Sequence, residues 1–153
     1  MRKFLVPAFL LSLLAATPQV ADARGWVSGR NPCSGRMLAR YYGLIEGRPS
    51  DRWALGKLLR CMSVKQLARR YEKRVKTRPK SYNFRVILGN LYMRQKAHAK
   101  AATEFRAAAT IDPKRYLSHY RLAAALRKLK EPEKARKAYD KALARTRVKR
   151  LKK

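Results

Sequence analysis

Six positions of this chain keep their character after a step of 34 residues. Leu88, Gly89 and Tyr92 return as Leu122, Ala123 and Leu126; Ala101, Phe105 and Ala108 return as Ala135, Tyr139 and Ala142. A fixed period of this size constrains the fold more than composition does. Each copy is one supersecondary unit that cannot bury its apolar face alone and must stack on its neighbours. Within a copy the spacing reads as two helices. Phe84, Leu88 and Tyr92 stand four apart on one stripe, and Ala101, Phe105 and Ala108 stand four and three apart on another. Gly89 and Ala101 put small residues where two such helices cross, and the aromatics fill the flanking space. Ile111-Asp112-Pro113 ends the second helix, since proline cannot continue it and disfavours helical geometry just before. Pro132 suits the first turn of the next helix. The predicted unit is an antiparallel helix pair.

This pattern resembles the tetratricopeptide repeat, a 34-residue helix–turn–helix unit with small, aromatic and proline positions like those just quoted. Residues 82–115 match all its small-residue positions and its terminal proline, and depart where Arg85 stands for an aromatic. Residues 116–149 match as well, but Arg147 replaces the closing proline, so the last helix is expected to run on toward the C-terminus. A degenerate copy is expected over 49–81, where Pro79 and Tyr71 precede Pro113 and Phe105 by the same period. Leu55, Gly56 and Leu59 repeat the first-helix triplet there if the turn is one residue shorter, and Ser63-Val-Lys-Gln66 is a capping-box pattern. Before it, residues 24–48 read as a loop followed by a capping helix with Leu38, Tyr41, Tyr42 and Ile45 at helical spacing. The resemblance implies an all-α fold, a short right-handed α-solenoid of antiparallel helix pairs, closed by a basic tail at 150–153. No comparable cap follows the last repeat: its basic outer face suffices, or the chain pairs with something there, or the sequence continues.

The first residues read as an address. MRK is followed by an apolar run from Phe4 to Ala16, too short to span a bilayer. Ala21 and Ala23 then stand in the A-x-A arrangement of a signal-peptidase site. Residues 1–23 are therefore expected to be a cleaved signal peptide with the mature chain starting at Arg24, the alternative being an uncleaved anchor. Secretion, or a periplasmic location in a diderm host, follows from that reading. The two cysteines, Cys33 and Cys61, form an even pair in an oxidising compartment and are candidates for a disulfide. A bridge would contribute about 3 kcal/mol in the chain-entropy model; the alternative is two separate thiols with Cys61 buried.

Lys and Arg number 39 against 9 Asp and Glu, a formal net charge of +30 that lies almost wholly beyond residue 23. Such an excess attracts polyanions and acidic proteins. Little in the sequence carries catalysis. His98 and His119 are isolated, the acidic residues form no metal-ligand spacing, and no serine or glycine motif of a nucleophile or phosphate loop is present. No cofactor, metal or small-molecule substrate is expected, and the chain is expected not to be an enzyme. In tetratricopeptide arrays the first helices line a concave groove that grips extended peptides or partner helices. The resemblance thus implies an open side bearing Asn83, Val86, Asn90, Met93 and Arg94, and in the next copy Tyr120, Ala124, Arg127 and Lys128. Asn83 and Asn90 amides can hold a peptide backbone, and Arg94, Arg127 and Lys128 can take carboxylates. Tyr92, Phe105, Tyr116 and Tyr139 fall on buried offsets, while Tyr120 lies off the stripe. The expected function is a non-catalytic scaffold in the cell envelope that binds an acidic or extended protein segment. The alternatives are a basic protein that binds extracellular nucleic acid, lipopolysaccharide or another anionic polymer, and a small subunit that oligomerises.

Overall fold

A computed structural model describes residues 33–151, with side chains followed to Thr146. The signal-peptide reading, the Ala23–Arg24 boundary and the basic tail beyond Leu151 lie outside the described residues. The described part is all helix: α1 Gly35–Gly47, α2 Arg52–Cys61, α3 Val64–Thr77, α4 Tyr82–Arg94, α5 His98–Ile111, α6 Tyr116–Lys128 and α7 Pro132–Leu151. Helices α4 and α5 form one close pair and α6 and α7 another; α5 packs on α6 and α3 on α4, which stacks the pairs. Pro132 opens α7, and α7 continues through Arg147 to Leu151, as the missing proline there predicts.

Both pairs turn the same way. After α4, Lys96 adopts a left-handed conformation (φ 59°), and after α6 Lys130 does so (φ 60°). The amide of Ala97 donates to the Tyr92 carbonyl and that of Lys96 to the Met93 carbonyl. Glu131 to Leu126 and Lys130 to Arg127 repeat these bonds one period later. These are the paired closures that satisfy the last carbonyls of a helix around one left-handed residue. The repeat therefore extends to backbone hydrogen bonding.

Inside the first pair, Gly89 sits against the ring of Phe105, which is fully buried. A Cβ on Gly89 would lie 2.5 Å from Phe105 Cε1, so the two helices approach this closely only because the side chain is missing. Arg85, which stands where an aromatic was expected, reaches from α4 to α5 and pairs with Glu104 at 2.9 Å. Its Nε donates to the Pro79 carbonyl at 2.9 Å. An ion pair thus bridges the space that an aromatic ring would fill.

The N-terminal part departs from a regular repeat. Helices α2 and α3 both fall within 49–81, and Ser63 and Gln66 form the expected capping box. Yet α2 packs chiefly on α1, which also touches α4. Cys33, just before α1, and Cys61, at the end of α2, are joined by a disulfide with Cα atoms 5.4 Å apart. It ties the two ends of the α1–α2 hairpin together. Tyr41, Tyr42 and Ile45 of α1 and Ala54, Leu55 and Leu58 of α2 share one buried cluster with α3 and α4. The helix over 35–47 thus packs against both α2 and α4.

A concave candidate site and its family

Helices α2, α4 and α6 contribute one side of the stack. There the α1–α2 connection, Gly47 to Asp51, returns across α4. Asn83 Nδ2 donates to the Glu46 carbonyl at 2.6 Å, and Asn90 Nδ2 donates to the Pro49 carbonyl at 3.2 Å. Arg115 Nη1 donates to Asn83 Oδ1 at 3.2 Å. Both asparagines hold peptide carbonyls, one in the last turn of α1 and one in the turn that follows it, and the carbonyls belong to this same protein.

Beyond the returning loop a cleft of about 350 Å³ remains between α2, α4 and α6. Arg52, Arg94 and Arg121 stand around it, with Leu55, Met93 and Ala124 as apolar lining. Asp51 is the one carboxylate there, and its Oδ1 accepts from the Ala54 amide as the cap of α2. Four arginines among the described residues are partly buried: Arg74, Arg85, Arg121 and Arg145. Arg74 pairs with Glu46, Arg85 with Glu104, and Arg145 donates to the Pro113 and Lys141 carbonyls. Arg121 differs from them, because its Nε is buried without a hydrogen-bond partner. A buried donor left unpaired is costly, and a ligand is one physical reason for it.

Other expected site residues fall differently. Arg94, Arg127, Lys128 and Tyr120 are exposed; Tyr120 packs edge-on against Tyr139 with ring centroids 5.8 Å apart. The cleft gathers Asn90 and Arg94 but not Arg127, Lys128 or Tyr120. Val86, expected on the open side, is fully buried in a cluster with Ala101, Phe105 and Ala125. The cause is that α5 and α6 both reach this face of α4, supplying Ala101, Phe105 and Ala108 from one and Ala125 from the other. Tyr116, expected to be buried, is 46 % exposed because it opens α6 at the edge of the stack. Arg121 and Arg52 were not singled out from the sequence. Arg121 falls 34 residues after Ile87, so the repeat carries no signal for a cation there.

Several carboxylates are already engaged. Glu46 accepts from Tyr71 and Arg74, Glu72 from Tyr92, Asp112 pairs with Arg115, and Glu131 with Lys134. Burial, followed by the bond to Glu72, pushes the Tyr92 hydroxyl up to about 12. His119 is buried in α6 with Nε2 3.1 Å from the Pro113 carbonyl. Burial chiefly, with Arg145 and Lys141 nearby, holds its imidazole below the ordinary histidine value. Among the described residues no helix is long and apolar enough to cross a membrane.

A stack of antiparallel helix pairs with a lined cleft on its first-helix side defines a helical-repeat binding module. Residues 82–115 and 116–147 each match a family model of the tetratricopeptide repeat, so this part of the chain carries two repeats of that family. Such repeats are typically non-catalytic modules of protein–protein interaction. A search of curated proteins finds no match to the chain.

Proposed function

We propose that this chain is an exported, non-catalytic scaffold that takes an acidic, extended segment of a partner protein in the cleft between α2, α4 and α6. The single observation behind this reading is the sequestered, unpartnered Nε of Arg121, flanked by Arg94 and Arg52. A guanidinium presents a planar fork of donors that matches a carboxylate, and the bond is charge-assisted. The apolar lining of Leu55 and Met93 suits the stem of the same residue. The location, periplasmic or extracellular, rests on the sequence of residues 1–23. A titration of the full-length protein tests the site, using a labelled peptide ending in Glu-Glu and its Gln-Gln counterpart at about physiological salt. The acidic peptide should bind more tightly, and Arg121→Gln should weaken it about tenfold or more, as for a lost charge-assisted bond. Equal binding of the two peptides, or no effect of Arg121→Gln, would refute the reading.

A second reading has its own support: the large excess of unpaired cations favours polyanions generally. In that case affinity falls log-linearly with salt and ignores Arg121.

A further inference from the structure

The other side of α6 carries a second cleft, of about 500 Å³, where α5 and α7 both pack on α6. Its floor is Leu122 and Leu126, and its walls are Ala109 of α5 and Ala138 of α7. Arg106, Lys137, Lys141 and Arg145 stand at its rim, and no carboxylate lines it.

The same place one repeat earlier is built differently. A step back of 34 residues replaces Leu126 by Tyr92, His119 by Arg85, Ala138 by Glu104, Ala109 by Val75 and Arg106 by Glu72. There Tyr92 donates to Glu72 across α4 and α3 at 2.8 Å, and Arg85 pairs with Glu104 across α4 and α5 at 2.9 Å. Those two bridges pair each charged group there with a partner. At the α5–α6–α7 level every one of these groups is shorter, apolar or of opposite sign. Lys137, Lys141 and Arg145 replace Thr103, Ala107 and Ile111. They stand four apart on one face of α7, a like-charge spacing that destabilises a helix. A counter-charge at the rim relieves that repulsion, and an apolar group on the floor removes the partly exposed surface of Leu122 and Ala109 from water.

We infer that this cleft is a binding site for a single-chain anionic amphiphile, a free long-chain carboxylate. Its alkyl chain lies on Leu122, Leu126, Ala109 and Ala138, and its head sits among Lys137, Lys141 and Arg145. The volume corresponds to on the order of fifteen water-sized groups, which suits one alkyl chain of moderate length and not a two-chain lipid. Charge alone does not select this ligand. The combination of cationic rim and hollow apolar floor does.

Calorimetric titration of the full-length protein with octanoate, decanoate and dodecanoate below micelle formation tests the site. One saturable site is expected, tightening about threefold to fourfold per added methylene, while decyltrimethylammonium does not bind. Ala109→Trp fills the cleft without altering charge and should weaken dodecanoate at least tenfold. The pair Lys137→Ala and Lys141→Ala should do the same, whereas Lys73→Ala with Lys76→Ala on α3, an equal charge change, should alter affinity less than twofold. Should Ala109→Trp fail to fold by circular dichroism, Ala109→Leu and the two charge pairs still decide. Binding that ignores chain length, survives the filled cleft, or responds equally to both charge pairs overturns the assignment in favour of general charge attraction. Competition by an acidic helical peptide without chain-length dependence also overturns it. Arg121→Gln should leave dodecanoate binding unchanged, so failure of the peptide-binding reading and failure of this one are distinguishable.

Discussion

Replacing Gly89 with alanine probes the tightest crossing in the stack. In an open helix the change is favourable by about 0.5–1 kcal/mol, because glycine loses more backbone freedom on folding. Here the new Cβ meets Phe105 Cε1 at 2.5 Å and Cδ1 and Cζ at 2.8 Å. Carbon atoms in good contact stand about 3.5–4.0 Å apart, so the shortfall is about 1 Å. Phe105 is fully buried and cannot swing outward. Either the ring leaves its rotamer or α4 and α5 separate, and overpacking of this kind costs about 1–3 kcal/mol. The net expectation is a loss of about 1–2 kcal/mol. Urea unfolding followed by circular dichroism measures it as a lower midpoint with unchanged slope. Gly56 in α2, where an added Cβ meets nothing within 4 Å, is the internal control: Gly56→Ala should stabilise by about 0.5–1 kcal/mol. Combining Gly89→Ala with Phe105→Leu should show a favourable coupling, since the smaller side chain frees the space. If Gly89→Ala stabilises as Gly56→Ala does, the close-crossing argument is wrong.

Reduction of the Cys33–Cys61 bridge should lower the unfolding free energy by about 3 kcal/mol, read as a shift between urea curves with and without reductant; coincident curves would show that the bridge contributes nothing. Glu104→Ala strands the half-buried Arg85 and should cost about 1–3 kcal/mol, whereas Glu131→Ala at the exposed Lys134 pair should change stability by less than about 1 kcal/mol. His119 binds its proton less readily folded than unfolded, so stability should decline as pH falls below about 6.5 and level off once pH passes the depressed folded value. A His119→Gln variant should lack that component when urea midpoints are compared across pH 4–8, and identical profiles would contradict the assignment.

The two repeats were legible because their signal is local. The small residue at Gly89, the aromatic at Phe105 and the proline at Pro113 act within one helix pair. Their spacing follows from helix geometry alone, and the turn chemistry at Lys96 and Lys130 conforms to it. Longer-range features were not legible. Val86 lies on the side of α4 that the stripe leaves open, but further helices pack on α4, and no spacing within α4 reports how many. Asn83 and Asn90 were recognisable as backbone-holding amides. That the backbone they hold is this chain's own depends on residues 46–51 returning across α4, some forty residues away along the chain.

The arginines mark the division most clearly. With so many cations in the sequence, no pattern separates Arg121 from Arg74. Only the packed structure shows that Arg74 and Arg85 meet carboxylates and that Arg121 Nε is enclosed without one. Periodicity, small residues and helix stops, all of them near-neighbour physics, determine that this chain is a stack of antiparallel helix pairs. Which of its cations face a cleft unpaired, and which of its clefts are hollow, is decided by contacts between helices distant in sequence. Burial and pairing are properties of those contacts and not of the residues themselves.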